Sequence, residues 1–220
     1  MSKALVLLSG GMDSTICLYW AKEHFENVNA LSINYGQKHL IEVECARKIA
    51  NFANVSWDLI SIDILKDIGD SALVTHGNVN VKHRSSPDLP ASFVPGRNIL
   101  LLTIAGIYAY KLDINNLVGG MCQTDSSGYP DCRRTCIGSL ADTLTYGMNR
   151  DLQIHTPLMY LTKAEALKMA ISFEGCVTAL GYSHTCYNGK RPPCMECPAC
   201  KLREKGFIEA GLSDPLLTTT

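Results

Sequence analysis

Two clusters of residues in this sequence have the types and spacing to do chemistry. The first is Ser9-Gly10-Gly11-Met12-Asp13-Ser14-Thr15, directly after the apolar run Ala4 to Leu8. Two adjacent glycines let a backbone close on an anion with no side chain in the way. If a strand ends and a helix begins there, unpaired N–H groups and the positive end of the helix dipole complete a phosphate site. The spacing is neither G-x-G-x-x-G nor G-x-x-x-x-G-K-[ST], and the lysine that reaches a terminal phosphate in the latter is missing. Cleavage between the α and β phosphates of a nucleotide fits better. A plainer reading, in which Asp13 or Ser14 caps the helix and the glycines only make the turn, is also compatible.

The second cluster is Cys194-x-x-Cys197-x-x-Cys200 with Cys186 just before it, four thiols within a span of 15 residues. Such spacing suits tetrahedral zinc, and four thiolates leave no open position for a substrate, so the site reads as structural. Metal binding of this kind contributes on the order of 10–16 kcal/mol, enough to fold a tail with little core of its own. An iron–sulfur cluster is an alternative with the same ligands. So is a nucleic-acid-binding zinc ribbon, since Lys190, Arg191, Lys201, Arg203 and Lys205 lie in the same tail.

These clusters need elements to position them. Ala4 to Leu8 reads as a strand buried on both faces, followed by a helix over 14–24, a strand at Val28 to Ile33 and a helix over 38–52. A third strand is expected at Ser56 to Ile62. The alternation predicts an α/β fold, an open and mostly parallel sheet with flanking helices, whose ligands bind beyond the carboxyl ends of the strands. Residues 70–92 are polar and aperiodic, as in a loop over a site. An apolar helix running to about Lys111, a strand at Asn116 to Gly120 and a helix near 133–147 follow. Thr162-Lys163-Ala164-Glu165 has the capping-box pattern that opens another helix. The expected division is a body over 1–180 and a cysteine-rich tail with a terminal helix over 181–220.

With 220 residues, 20 basic against 21 acidic groups and a net charge of -1, the chain gives no electrostatic basis for coating nucleic acid. Ten cysteines in a chain of this length point to a reducing, cytoplasmic setting more than to a disulfide scaffold. The longest apolar stretch, Ile99 to Tyr110, falls short of the roughly 20 residues that span a membrane.

Ser9 to Ser14 resembles the pyrophosphate-binding loop of the N-type ATP pyrophosphatases, among them GMP, NAD and asparagine synthetases and several tRNA-modifying ligases. Within that group, further strings resemble the 7-cyano-7-deazaguanine synthase family of the queuosine pathway. They are Tyr35-Gly36-Gln37-Lys38-His39, Phe93-Val94-Pro95-Gly96-Arg97-Asn98, Ser127 to Arg133, Thr156-Pro157-Leu158 and Cys186-Tyr187-Asn188-Gly189. They run in family order from residue 4 to about residue 206.

The resemblance implies an adenine nucleotide alpha hydrolase-like fold. It implies a ligase that joins 7-carboxy-7-deazaguanine and ammonia at the expense of two ATP, by way of an adenylated carboxylate and then an adenylated amide. It also implies Mg²⁺ at the phosphates, structural Zn²⁺ on Cys186, Cys194, Cys197 and Cys200, and a homodimer. Leu8, Ser9, Gly10, Gly11, Met12, Asp13, Ser14, Thr15, Ile16, Cys17 and Leu18 are then expected around the nucleotide, with Tyr35, Gly36, Gln37, Gly96 and Arg97. Asp125, Tyr129, Asp131 and Arg133 are expected at the deazaguanine. Asp13, Lys38 and Arg97 are the candidates for catalysis, Arg97 because a guanidinium can grip a phosphate or a carboxylate through two parallel hydrogen bonds. Asn34, Gln123 and Arg134 depart from the commoner family pattern, each in the direction of less negative charge.

Overall fold

The computed structural model describes residues 2–36, 41–62, 88–89, 92–124 and 128–218. Five strands, β1 (Lys3–Leu7), β2 (Asn27–Asn34), β3 (Ser56–Ser61), β4 (Asn116–Val118) and β5 (Gln153–His155), form one sheet. Their order is β3-β2-β1-β4-β5, and every pairing is parallel. The chain winds outward from β1 through β2 to β3, then returns to build the other side with β4 and β5. The direction of winding therefore reverses between β1 and β4, and the crevice beyond that pair is where open α/β sheets bind ligands.

The two faces of the sheet carry separate cores, as the alternation of side chains along a strand requires. Ala4 and Val6 face a layer that includes Ile16, Leu18, Ile49, Leu167 and Leu180, whereas Leu5, Leu31 and Leu117 face Leu102, Ala105, Ile137 and Leu144. The first layer is supplied by α1 (Met12–His24), α2 (Ile41–Phe52), α5 (Lys163–Ile171) and the short α6 (Cys176–Leu180). The second is supplied by α3 (Arg97–Lys111) and α4 (Arg134–Met148). The predicted capping box at Thr162 is present: its hydroxyl accepts from the Glu165 N–H, and the Glu165 carboxylate accepts from the Thr162 N–H at 2.8 Å.

Beyond α6 the chain forms the cysteine-rich segment, α7 (Pro198–Ala210) and α8 (Pro215–Thr218). Helix α7 lies on α5, and Phe207 enters the first core layer. The approach is close enough at Gly206 that a methyl group there would sit 2.7 Å from the Lys163 Cβ. Strand β5 was not anticipated because three residues carry too little periodicity to register. Helix α3 begins at Arg97 itself, and most of the expected 70–92 loop lies outside the described residues. Among the described residues, no helix is long and apolar enough to cross a membrane.

Candidate active site

The glycine loop sits at the carboxyl end of β1, where the sheet's winding reverses. Its conformation is held from within. The Ser14 hydroxyl lies 3.0 Å from the Ser9 hydroxyl, 3.1 Å from the Gly11 carbonyl and 3.2 Å from the Ser9 N–H, and the Thr15 hydroxyl donates to the Gly11 carbonyl at 2.8 Å. Gly10 has a φ of 86°, and a Cβ there would lie 2.1 Å from the Glu42 carbonyl oxygen of α2. Only glycine allows both that backbone region and that contact. The Gly10 carbonyl in turn accepts the His184 N–H at 2.8 Å, which ties the loop to the segment leading into the cysteines.

Asp13, in the first turn of α1, receives Lys163 Nζ on Oδ2 at 2.6 Å. Its other oxygen, Oδ1, is buried without a hydrogen-bond partner among the described residues. A buried carboxylate oxygen left open in this way is a costly arrangement that a cation would relieve. Lys163 was visible in the sequence only as the first residue of a capped helix, 150 positions from Asp13. The fold brings it to the loop, which supplies a lysine that the loop sequence itself lacks.

Across the cavity stands an aromatic wall. The Arg97 guanidinium lies 5.8 Å from the Tyr35 ring centre and 6.0 Å from that of Tyr129, and Phe93 is tilted against Tyr129 at 5.6 Å. Burial disfavours the charge on Arg97, but Tyr35, Tyr129, Tyr187 and Asp131 outweigh it and hold the guanidinium protonated. Desolvation pushes the Tyr35 hydroxyl above the usual phenol range and the Tyr187 hydroxyl further still. Ser92 and Tyr129 share a 2.6 Å hydroxyl contact. Behind the wall, buried Asp131 accepts the Asn98 N–H at 2.9 Å and so pins the first turn of α3, the turn that carries Arg97.

Loop and wall enclose one cavity of about 460 Å³, lined by Leu8, Ser9, Gly11, Met12, Asp13 and Ser14 on one side and by Tyr35, Ser92, Arg97 and Tyr129 on another. Sequence reasoning missed several of its residues. Glu42, Lys163, His184 and Thr185 reach it, as does Tyr187, whose only sequence signal was its place beside Cys186. Of the expected residues, Ile16, Cys17 and Leu18 do not line it. They are fully buried in the first core layer, because a helix that offers its first turn to a ligand turns its next residues into the protein. Gly10, Thr15, Gly96 and Asp131 support the walls from behind, and Arg133 is exposed outside the cavity. Gln37, Lys38 and Asp125 lie outside the described residues. The departures Asn34 and Gln123 have local work: Asn34 Oδ1 accepts the Gly36 N–H at 3.1 Å, and Gln123 Oε1 accepts the Arg134 N–H that opens α4.

Cys186, Cys194, Cys197 and Cys200 meet with all four sulfurs within 4.8 Å of one another, the Cys194 and Cys200 sulfurs 3.9 Å apart. Four bonds of about 2.3 Å to a tetrahedral zinc would set sulfurs about 3.8 Å apart, so the cluster can hold such an ion with little adjustment. Although burial opposes it, N–H groups of Glu196 and Cys197 draw the Cys194 thiol down to about 6, toward the thiolate a metal needs. The surrounding arginines are spent internally. Arg203 is buried against Asp214, with an Nε to Oδ2 distance of 2.6 Å, and donates to Ser183 Oγ and the Leu180 carbonyl. Arg191 donates to the carbonyls of Gly181 and Ser183. Both clamp the strap over residues 180–185, which runs from the core past Gly10 to Cys186.

A parallel sheet whose winding reverses at β1, with a glycine loop opening a helix on that edge and a cavity beyond it, defines the class, an open α/β protein. Comparison narrows the class to a family. Residues 3–211 match the model of the queuosine biosynthesis protein QueC. Proteins described as 7-cyano-7-deazaguanine synthase share 49% identity in Chromobacterium violaceum and 46% in Laribacter hongkongensis. The alignments cover 98% and 97% of this chain and 93% of each relative. The chain belongs to the QueC family. Among solved structures, the fold resembles a 4-thiouridine synthetase in complex with RNA and ATP, with TM-score 0.53 and 17% identity over 98% of this chain and 52% of that one. It also resembles a tRNA methyltransferase subunit from Methanocaldococcus jannaschii, with TM-score 0.51 and 20% identity over 77% of this chain and 74% of the other.

Proposed function

We propose that the chain is a 7-cyano-7-deazaguanine synthase, which converts 7-carboxy-7-deazaguanine and ammonia to the nitrile with two ATP. The observation that carries this reading is the meeting, in one cavity, of the Ser9–Ser14 loop and the Arg97 aromatic wall. An adenylating enzyme must hold a triphosphate and a carboxylate at once, and these two walls offer a site for each.

A carboxylate is a poor electrophile, and transfer of AMP to its oxygen turns that oxygen into part of a good leaving group. In the first round the carboxylate attacks the α-phosphorus and pyrophosphate departs; ammonia then adds to the carbonyl carbon, and AMP leaves to give the amide. In the second round the amide oxygen attacks a second ATP. Loss of AMP and of the nitrogen's protons then leaves the carbon–nitrogen triple bond. Both rounds act on oxygens of one carbon, so one site serves both.

In this reading the loop N–H groups and Lys163 bind the phosphates, preorganised for the charge that builds on the departing pyrophosphate. Asp13 would hold Mg²⁺ through its open Oδ1, and the ion would supply neutralisation of phosphate charge. Arg97 binds the carboxylate, while Tyr35, Tyr129 and Tyr187 flank the deazaguanine ring. The four cysteines hold structural Zn²⁺, which leaves residues 1–180 as the ATP-pyrophosphatase body and 181–220 as its zinc-braced tail. A cytoplasmic homodimer acting on free ammonia completes the proposal.

The test incubates purified protein with ATP, Mg²⁺, ammonium and 7-carboxy-7-deazaguanine and follows products by mass spectrometry. Nitrile with AMP is expected. Amide as the sole product would mean a one-step variant, and the absence of AMP would remove this substrate.

A further inference from the structure

Both rounds of the proposed reaction share a requirement that the loop and Arg97 do not meet. The nitrogen must lose protons: ammonia sheds one as it becomes the amide, and the amide sheds two as it becomes the nitrile. A base must therefore stand beside the reacting carbon. Resting on the function proposed above, we infer that Glu42 is that base.

Among the described residues that line the cavity, only Asp13 and Glu42 carry carboxyl groups. Asp13 is on the phosphate loop and is committed to Lys163. The His184 ring is turned to the cysteine segment, its Nε2 2.9 Å from the Cys186 carbonyl oxygen. Burial raises the pKa of the Tyr35 and Tyr187 hydroxyls, which keeps both protonated and unable to accept a proton at neutral pH. Glu42 lies in the first turn of α2, the turn that Gly10 allows to press against the loop. Its position is thus set by the same contact that shapes the phosphate site.

The surroundings of the carboxyl suit the task. Burial raises its pKa to about 7, and Arg97 pulls in the opposite direction. Among the described residues, Tyr35, Tyr187 and Cys45 also feel its charge. A base works best with a pKa near the operating pH, where it is ionised often enough to act and basic enough to take the proton. In the first round Glu42 takes a proton as the N–C bond forms and the bond to AMP breaks. In the second, after adenylation of the amide oxygen, it takes both nitrogen protons in turn: the first, which passes on to solvent, gives the neutral imidate, and the second is the one whose N–H electron pair becomes part of the triple bond as AMP leaves. Between events the proton passes to solvent through the open side of the cavity.

Supplying the amide in place of the acid isolates the second round and removes ammonia, whose own titration would confuse the result. Wild-type enzyme, Glu42→Gln and Glu42→Asp are compared for nitrile formation and for amide-dependent ATP–pyrophosphate exchange. The exchange reports adenylation without the proton loss. The expected result is a fall of about 100-fold or more in nitrile formation for E42Q, the scale of a lost general base, with exchange kept within about threefold. E42D should recover part of the loss. In wild-type enzyme, the rate of the amide-to-nitrile round should rise with pH through about 7 and level off, because Glu42 accepts a proton only when ionised. That profile needs no variant to fold. Equal losses of exchange and nitrile in E42Q, full nitrile activity in E42Q, or a flat wild-type profile from pH 6 to 8 would each overturn the assignment. Failure of wild-type enzyme to make nitrile from either acid or amide is a different result and contradicts the proposed function itself.

Discussion

The loop side of the cavity is made mostly by one stretch of chain, and the aromatic side by four. Ser9 to Ser14 holds its shape through consecutive backbone groups and its own hydroxyls, at a turn that any buried parallel strand entering a helix must make, and Lys163 joins it from a distant helix. Facing it, Tyr35, Ser92 to Arg97, Tyr129 and Tyr187 arrive from separate elements and are held by Asp131, Ser92 and the strap beside the cysteines. The first kind of wall depends mainly on its own residues. The second depends on scaffolding far from the ligand, and the two meet at Gly10 and at the strap.

Substitutions can break this contrast. The largest effect should follow disruption of the four-cysteine cluster, since the strap leads from the loop to it. Cys197→Ser is expected to cost several kcal/mol, because it removes a ligand from the proposed zinc site, and a structural zinc contributes on the order of 10–16 kcal/mol. Thermal unfolding and metal content read this out, and binding of ATP and of the deazaguanine should both fail. A variant that lost only one of the two would show that the strap serves a single wall.

Gly10→Ala comes next. It places a Cβ 2.1 Å from a backbone oxygen in a region with positive φ, so either the loop or α2 must move. A destabilisation of about 3 kcal/mol or more is expected in denaturant titration. Arg97→Lys keeps the charge but loses the planar fork and the stacking on Tyr35 and Tyr129. A rise of about 10–100-fold in KM for the acid, with the KM for ATP nearly unchanged, would assign the arginine to the aromatic side. The smallest effect belongs to Tyr129→Phe, which removes the hydroxyl that meets Ser92 and Tyr187 and should cost about 1 kcal/mol in kcat/KM for the deazaguanine.

The same contrast explains what could be read from the sequence. The order of the first three strands, the helices between them, the capping box and the loop are local patterns, and each appears where its pattern stands. Glu42 and Lys163 were hidden because their neighbours in sequence are those of ordinary helix starts, and only the packing of α2 and α5 against the loop gives them a site. Conversely, Ile16 to Leu18 follow the loop so closely that proximity in sequence suggested proximity to the ligand, while the turn of α1 sends them into the core. The basic residues of the tail were ambiguous for a related reason. Arg191 and Arg203 carry charge that a sequence shows as available and a fold shows as engaged.

The central claim is that one phosphate site and one aromatic wall activate the same carbon twice. Counting AMP released per nitrile formed, under conditions where all the acid is consumed, tests it most directly. The account predicts two AMP per nitrile, with amide accumulating when ATP is limiting and disappearing when more is added. One AMP per nitrile, or nitrile formed without any amide that can be chased, would contradict it.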